Sequence, residues 1–396
     1  MRFLLIVPYT YPDYSGSGIN AVHFAGHLNH TGHSATVLSF NRKGKLKSRE
    51  TRGGVTIRRI LYLNKNGLTK LLSLFIIIPS YILNLARNDV ILIYGGHVIA
   101  FEAAILIGRL LGRKVVFQSL MTGSDDLGTL LNQGNRLLTG IRKRVFKKLT
   151  FYHAINPEFT ARCPAVLKQK IKILEAVQGV DTTVFRPGAD RAPDGIRKEL
   201  GIGENEFLIV SVGFLIPRKG FGELFKVLSG LQFPFRLVVI GEYRFEDSHF
   251  LSGFREEALQ IVRQGKELLG DKVIFTGPVD RVAAHLISAN VFVLNSRQEG
   301  TPNSMLEAMA CGVPVVIRRL EGLEEFLIDH EKNGFIHDDE KKLNDILERL
   351  YSQPKLRNAL GQSARKTIEQ KASFDRVLDA YMEFLGSAGP SHGEEN

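Results

Sequence analysis

Several chemical groups are scarce or missing in this chain of 396 residues. It contains no tryptophan and only two cysteines, Cys163 and Cys311, which lie far apart and form no CxxC pair. This usage excludes a disulfide framework and a zinc ribbon, and it indicates a reducing environment. The sequence also lacks HExxH, DxD and GxxxxGK[ST] motifs. Zinc-protease chemistry, metal-bound diphosphate chemistry and Walker-type ATP hydrolysis therefore lose support.

No apolar run is long enough to span a bilayer comfortably. The most hydrophobic stretch, LLSLFIIIPSYILNLA at residues 71–86, has sixteen residues and is interrupted by Pro79. Its length favours a buried helix packed on a sheet over a membrane span. The N-terminal MRFLLIVPYTYP has a short apolar run followed by Pro8, which favours a first buried strand over a signal peptide.

Acidic residues are scarce in the first half of the chain. Residues 1–180 contain 25 Lys and Arg against 8 Asp and Glu, a net charge of +17, whereas the remainder carries −6. This asymmetry suggests that the first half faces an anionic partner. The run IRKRVFKKL at 141–149 has five basic residues and a single aromatic side chain, Phe146, and no recognisable nucleic-acid-binding motif. A solvated helix face is the default interpretation of such a run. Together with the basic first half, the run favours an anionic membrane surface over nucleic acid, and a phosphorylated substrate remains a third option.

Strand-like and helix-like segments alternate along the chain. Eleven apolar runs without strict alternation, six and then five, predict an α/β protein with two Rossmann-like, doubly wound parallel sheets. A Gly-, Pro- and Asp-rich break at 179–195 separates the two sets, and a ligand is expected in the cleft between the domains. We predict domains at 1–183 and 184–372, a last helix at 373–388 that is capped by Ser373, and a disordered tail at 389–396.

The segment GSGINA, residues 16–21, formally matches a dinucleotide-binding fingerprint through Gly16 and Gly18. The acidic residue that would bind a ribose is absent after the second predicted strand, where Arg42 and Lys43 could instead suit the 2′-phosphate of NADP. The same glycines could let the backbone approach an anion or a sugar, so both interpretations stay open.

Three histidines, His23, His27 and His30, recur at helical spacing. A metal site is one interpretation, but a polar stripe beside apolar helix positions is favoured because no HExxH motif or Cys/His pair accompanies them. We therefore predict no metal and no cofactor.

Basic residues follow the first predicted strand of the second domain, in VGFLIPRKGFGEL at 212–224. Gly213 permits a sharp turn, and Lys219 stands one residue before Gly220 and a predicted helix. A lysine at the carboxyl end of a parallel strand, beside a helix N-terminus, suits a diphosphate. An ordinary loop with exposed charge is an equal alternative.

Two glutamates flank a predicted helix start in EGTPNSMLEAMACGVPVV, residues 299–316. Glu299 precedes the helix, Thr301 is the predicted N-cap, Pro302 is the predicted first helical residue, and Glu307 lies inside. The amides of 303–305 would then form a metal-free anion site. Carboxylates accept hydrogen bonds from vicinal hydroxyls, so the pattern predicts a nucleotide sugar.

The Glu299-x7-Glu307 pattern, continuing as EAMACGVPVV, resembles the retaining GT-B glycosyltransferases of family GT4. Further motifs of that family appear in order: GSG, NHTGHSATVL, VQGVDTTVFRP, VGFLIPRKG, VIFTGPV and KNGFIHDD. The resemblance implies a GT-B fold and metal-free transfer with retention, and the last helix would cross back onto the first domain. It implies catalytic roles for Glu299, which would contact the donor sugar, and for Lys219 and Arg218, which would neutralise the diphosphate. The donor-binding set is Gly16, Gly18, Gly213, Phe214, Gly300, Thr301, Pro302, Asn303 and Glu307, with Glu307 on the ribose.

Two positions depart from the family pattern. Phe214 stands where the family has a diphosphate-binding arginine, and Arg218 could substitute for it. The family's histidine after the fifth strand is replaced within SLMTGSDD, so we assign acceptor binding to Thr122, Asp125 and the nearby His97.

The favoured function is therefore a cytoplasmic glycosyltransferase that builds a cell-surface polysaccharide on a glycan or lipid-linked acceptor, with a nucleotide sugar as co-substrate. Its basic half could contact the inner face of the plasma membrane, and no nucleic acid is expected. One alternative is a non-catalytic nucleotide-sugar or glycan-binding protein, motivated by Phe214 and the missing histidine. The other is an NADP-dependent oxidoreductase, motivated by GSGINA.

Overall fold

A computed structural model describes residues 1–13, 15–41, 44–62, 67–96, 99–134, 136–188, 193–245 and 252–386 of the chain. These residues divide into two units. The first comprises Met1–Gln178 and the chain from Val377, and the second comprises Gly179–Arg376. Both divisions fall a few residues from the predicted domain boundaries. The predicted tail at 389–396 lies outside the described residues.

The first unit is built on one eight-stranded sheet. Its strand order is β3-β4-β2-β1-β5-β6-β7-β8, and every neighbouring pair is parallel except β3 with β4. The strands are β1 (Arg2–Ile6), β2 (Ser34–Asn41), β3 (Arg49–Arg52), β4 (Val55–Leu61), β5 (Val90–Tyr94), β6 (Lys114–Ser119), β7 (Phe151–Ala154) and β8 (Lys172–Glu175). The helices are α1 (Gly16–His30), α2 (Gly67–Ala86), α3 (Ile99–Leu110), α4 (Leu127–Leu130), α5 (Arg136–Phe146), α6 (Pro157–Ala161) and α7 (Ala165–Lys168).

The second unit is built on a six-stranded, wholly parallel sheet. Its strand order is β11-β10-β9-β12-β13-β14. The strands are β9 (Phe207–Val212), β10 (Phe235–Ile240), β11 (Val273–Gly277), β12 (Val291–Leu294), β13 (Val315–Arg318) and β14 (Phe335–His337). The helices are α8 (Pro193–Glu199), α9 (Phe221–Ser229), α10 (Arg255–Leu269), α11 (Val282–Ile287), α12 (Asn303–Ala310), α13 (Glu340–Ser352) and α14 (Pro354–Lys371).

Both sheets are doubly wound, as predicted. Their central strands are apolar on both faces because helices cover each side, and β5 is buried along its whole length. The strand order reverses between β1 and β5 in the first sheet and between β9 and β12 in the second. Ligands of such sheets bind outside the carboxyl ends of the strands at this reversal. The loops after β9 and β12 are therefore the natural place for a site in the second unit.

The expected count of eleven strands was wrong, because the described residues contain fourteen. The three unforeseen strands, β3, β8 and β14, have four, four and three residues. β3 has the sequence RETR, is largely exposed and pairs antiparallel with β4 at the sheet edge. Segments this short or this polar have no hydrophobic periodicity of their own, so their neighbours in the sheet determine that they are strands.

The prediction that 71–86 forms a buried helix was correct for one face only. The helix α2 runs from Gly67 to Ala86 with Pro79 inside it, and Ile77, Tyr81 and Leu85 are fully buried. The opposite face exposes large apolar side chains. No helix in the described ranges is both long and apolar enough to cross a bilayer.

The last helix, α15 (Phe374–Gly386), begins directly after Ser373, whose hydroxyl accepts a hydrogen bond from the Arg376 amide at 3.3 Å. From Val377 onward this helix belongs to the first unit. The Tyr381 hydroxyl lies 2.7 Å from Nδ1 of the buried His153, and Phe384 packs edge-on against Phe151. Aromatic packing and one buried hydrogen bond therefore attach the helix to β7.

Candidate active site

The loop after β9 is tightly joined to the loop after β12. A 3-10 turn at Pro217–Lys219 leads into Gly220, which has φ of 67° and begins α9. The Gly220 carbonyl accepts a hydrogen bond from the Asn295 side chain at 2.8 Å, and the Arg297 amide donates to the Arg218 carbonyl at 2.8 Å. A Cβ atom at Gly220 would lie 2.2 Å from the Asn295 carbonyl oxygen. Only glycine satisfies both this backbone angle and this close approach.

This junction brings Arg218 and Lys219 onto Glu299. The Lys219 ammonium lies 2.5 Å and the Arg218 guanidinium 3.1 Å from the same oxygen, Oε1 of Glu299. Arg218 also donates to the Gln298 carbonyl at 2.9 Å. The Glu299 side chain is only 9% exposed, and that of Lys219 is 11% exposed. A compact cation pair thus lies at the carboxyl end of β9, with one carboxylate as its counter-ion.

The electrostatics of Glu299 follow from these neighbours. Burial raises the pKa of its carboxyl, but the positive charges of Lys219 and Arg218 outweigh burial, so the pKa of Glu299 is lowered. Glu299 is therefore ionised at neutral pH. The sequence assigned these three residues to separate parts of a donor, and the structure shows that they also pair with one another.

Gly213 and Phe214 line the start of the same loop. The stem of Lys219 crosses Gly213 so closely that a Cβ atom there would lie 3.3 Å from Cε of the lysine. Phe214 is half-buried, and its ring centroid lies 6.3 Å from that of Phe245. The position of the family arginine thus holds an aromatic contact, and Arg218 supplies the guanidinium beside Lys219.

The start of α12 differs from the prediction. Pro302, rather than Thr301, is the N-cap residue, and Asn303 is the first helical residue. Pro302 has a ψ of 119°, which is extended, and its carbonyl accepts from the Met305 and Leu306 amides at 3.2 Å. The Met305 amide is thus already bonded, which corrects the expectation that it is free for an anion. Thr301 and the adjoining Gly300 are buried.

Glu307 has surroundings unlike those of Glu299. It lies just over one turn into α12 and is half-buried. Within the described part of the chain its carboxyl forms no hydrogen bond or ion pair. Burial raises the pKa of Glu307 to about 7. An acidic group with no partner, on the helix that follows the Glu299 loop, is suited to accept hydrogen bonds from a ligand.

Gly18 of the predicted GSGINA fingerprint serves packing at the start of α1. Ser15 caps this helix by accepting from the Gly18 amide at 3.4 Å. A Cβ atom at Gly18 would lie 1.9 Å from the Tyr9 carbonyl oxygen, so the helix packs directly on the loop that follows β1. Gly16 is the first residue of the helix. The close approach at Gly18 is to the protein's own backbone.

The predicted acceptor residues lie in the loop after β6, with one exception. Asp125 is buried, and its Oδ1 accepts from the Leu120 and Met121 amides at 2.8 Å each. Burial raises the pKa of Asp125 to about 7 despite these hydrogen bonds. Thr122 is buried in the same loop. His97 lies outside the described residues.

The described residues contain no group of three or more His, Cys, Asp or Glu side chains that could hold a metal ion. Two histidines of the predicted polar stripe on α1 make contacts within that helix. His30 Nδ1 lies 2.7 Å from the Gly26 carbonyl, and His27 stacks on Phe24. Sequence reasoning missed Asn295, which joins the two site loops. Its position directly after β12, at the strand-order reversal, is the signal that could have identified it.

The sequence of this chain is similar to known glycosyltransferases. The profile of the family described as glycosyl transferases group 1 matches residues 194–367. The lipopolysaccharide core biosynthesis glycosyltransferase LpsD of Rhizobium meliloti is 27% identical over 197 residues, which are 49% of this chain and 53% of LpsD. The chain thus spans about half the length of this curated relative.

Solved structures resemble the chain over nearly its whole length. Sucrose-phosphate synthase from Thermosynechococcus elongatus superposes with a TM-score of 0.76 at 18% identity, covering 98% of this chain and 100% of that one. Anabaena HepE, solved in complex with UDP and glucose, gives a TM-score of 0.75 at 17% identity with the same coverage. These likenesses show the GT-B fold. Residues 194–367 thus match the group 1 glycosyl transferases and the chain has the GT-B fold, in agreement with the family that its motifs resemble.

Proposed function

We propose that this protein transfers a sugar from a nucleotide-diphosphate sugar to a glycan or lipid-linked acceptor, with retention of configuration and without a metal ion. One observation carries the proposal. Arg218 and Lys219 meet the ionised Glu299 at the strand-order reversal of the second sheet, while Glu307 on the following helix keeps an unpartnered carboxyl. Positive charge beside hydroxyl acceptors is the chemistry that a nucleotide sugar requires.

The cation pair would act on the leaving group. As the glycosidic bond to the diphosphate breaks, negative charge develops on the departing phosphate oxygen. Lys219 and Arg218 would stabilise this charge because they are held in place before the reaction and lie in a largely buried site. Arg218 thereby takes the part of the family arginine that Phe214 replaces. Two fixed cations supply the charge that a metal would otherwise contribute.

The two glutamates would bind the two sugars of the donor. Glu307 would accept hydrogen bonds from the ribose hydroxyls, since a carboxyl with no internal partner gains the most from them. Glu299 would accept from hydroxyls of the transferred sugar while its other contacts hold the cations in position. Backbone at Gly213, Gly300 and Asn303 would line the donor. The HepE complexes with UDP and with UDP-glucose support a uridine diphosphate sugar as the first donor to test.

The acceptor assignment rests on charge. The first 180 residues carry a net +17, which suits a phosphate-bearing glycan or lipid at an anionic membrane surface. The name of LpsD, a lipopolysaccharide core enzyme, supports a cell-surface polysaccharide as product. We accordingly place the protein at the cytoplasmic face of the membrane.

The experiment is a thermal-shift panel in EDTA with UDP, GDP, ADP, dTDP and NADP, followed by turnover assays with the matching sugar conjugates. We expect one nucleoside diphosphate to raise the melting temperature of the wild type and not of Glu307→Ala. Lys226→Ala, an exposed position on α9, is the matched control and should respond as the wild type does. A response to NADP alone would overturn the proposal. Nucleotide-sugar binding with no hydrolysis or transfer to any glycan would favour a non-catalytic binding protein instead.

A further inference from the structure

The outer face of α2 carries an unusual amount of exposed apolar surface. Among the described residues, fourteen large apolar side chains are markedly exposed, and six of them lie on this one helix. Phe75 is 75% exposed and Leu83 is 59% exposed. The six are Leu72, Phe75, Ile76, Ile78, Ile82 and Leu83, which we call the α2 outer face. A continuous patch of this kind on a soluble domain marks a surface that contacts something else.

The spacing shows that the α2 outer face is one stripe. Positions 72, 75, 76, 82 and 83 follow the three- and four-residue intervals of a single helix side, and the exposed Pro79 continues it. Ile77, Tyr81 and Leu85 point the other way and are fully buried in the core of the first unit. The helix is therefore already anchored by one apolar side. Folding of the unit does not require the second apolar side.

Basic residues lie in the same layer of helices as this stripe. α2, α3 and α5 all contribute to one core cluster and so cover the same side of the sheet. α5 is joined to α3 by an Arg142–Glu102 ion pair at 2.9 Å. Four cationic residues are exposed at its C-terminal end: Lys143 and Arg144 on the helix, and Lys147 and Lys148 directly after it.

Acidic groups are scarce in the same layer. The helix α2 contains no Asp or Glu. Glu102, the one acidic residue of α3, forms an ion pair with Arg142. An apolar stripe in the same helix layer as a cluster of lysine and arginine, with little negative charge, is the pattern of a surface that lies in a membrane interface.

We propose that the α2 outer face inserts into the interfacial region of a lipid bilayer that carries anionic headgroups, while the cations of α5 bind those headgroups. This goes beyond the proposed function, since it names a docking surface and does not depend on the donor. Charge decides between a bilayer and a second copy of the chain. A twofold contact through α2 would bring two strongly basic units together, which is unfavourable, whereas an anionic surface attracts them.

Vesicle flotation with the full chain tests the proposal. The probes are vesicles of phosphatidylcholine alone and vesicles with about one third phosphatidylglycerol. The variant Leu72→Gln/Phe75→Gln/Leu83→Gln should lower the partition coefficient onto anionic vesicles by about tenfold or more, because it removes the inserted apolar area. The matched control changes three exposed apolar residues of the second unit, Val184→Gln/Phe254→Gln/Leu268→Gln, and should stay within about twofold of the wild type.

A second measurement reports insertion directly. Because the natural sequence has no tryptophan, Phe75→Trp introduces a single fluorophore on the α2 outer face. Its emission should shift to the blue with anionic vesicles, and Phe254→Trp should not respond. No shift at residue 75, or equal vesicle binding by the triple variant and the wild type, would overturn the proposal. A wild-type dimer that the triple variant converts to monomer, without vesicle binding, would assign the face to a second copy. A nucleotide thermal shift retained by every variant shows that the fold and the donor site are intact.

Discussion

The carboxyl edges of the two sheets use buried carboxylates in opposite ways. At the edge of the second sheet, Glu299 faces two cations, and the pKa of its carboxyl is lowered. At the edge of the first, Asp125 accepts hydrogen bonds from two backbone amides, and burial raises its pKa to about 7. Both positions satisfy the rule that doubly wound sheets bind ligands at this edge. The charge state of each carboxylate depends on the groups that contact it.

The carboxylate at the second sheet belongs to a cluster of charges, whereas the carboxylate at the first sheet organises the backbone of its own loop. The Asp125 carboxyl holds the amides of Leu120 and Met121, and Asp126 caps α4 by accepting from the Thr129 amide at 2.8 Å. These acids determine the path of their own loop. The cluster around Glu299 instead concentrates positive charge, which an anionic ligand can share. Three substitutions, used in four experiments, test this comparison.

Lys219→Ala should have the largest effect. It removes one of the two cations that would stabilise the leaving diphosphate, so we expect kcat of transfer to fall by about 10²–10³-fold. Initial rates with the donor identified by the thermal-shift panel measure this, and Lys226→Ala on the adjoining helix is the control. A loss of less than about threefold would mean that the cation pair serves folding only.

Glu307→Gln should weaken binding of the nucleoside diphosphate by about 10–100-fold, the range expected for hydrogen bonds to a charged acceptor. The glutamine keeps the shape of the side chain, so the change reports the loss of charge. Isothermal titration calorimetry measures the affinity, and Glu348→Gln, at an exposed position on α13, is the control. Unchanged affinity would remove Glu307 from the donor site.

The same variant should change the pH dependence of stability. Because the pKa of Glu307 in the folded chain is raised to about 7, its stabilising contribution is complete below the ordinary glutamate value and is lost as pH rises through 7. We therefore expect Glu307→Gln to melt a few degrees higher than the wild type at pH 8 and to match it closely at pH 5. Scanning calorimetry at both pH values provides the measurement. A higher melting temperature only at pH 5 would contradict the raised pKa.

Asp125→Ala should have the smallest effect on the donor site. The Leu120 and Met121 amides lose their acceptor, at a cost of about 1–3 kcal/mol for each buried group, so the melting temperature of the first unit should fall by several degrees. Nucleotide affinity should stay within about twofold of the wild type. If the melting temperature were unchanged and only KM for the acceptor rose, Asp125 would have the acceptor role that the sequence suggested, and the contrast between the two edges would fail.

Much of the architecture could be predicted from the sequence. The long apolar runs specify the central strands, and the break after residue 178 lies where Gly, Pro and Asp accumulate. The position of Lys219 before Gly220, and the spacing of Glu299 and Glu307, identified the loops that the structure places at the reversal of the second sheet. These features depend on side-chain period and turn chemistry, which are local, so adjacent residues encode them.

Only the tertiary structure decided which side chains pair with each other and which become buried. Lys219 and Glu299 are eighty positions apart, and their ion pair exists because β9 and β12 are neighbours in the sheet. The raised pKa of Asp125 likewise depends on burial, which only the fold produces. On α2 both sides of the helix are apolar in sequence, and only the fold shows which of them is buried. Burial and pairing depend on groups that are distant along the chain. The sequence therefore determined the long apolar elements and the loops that carry the candidate site, whereas the fold determined the short edge strands, which charges meet and which apolar face is left exposed.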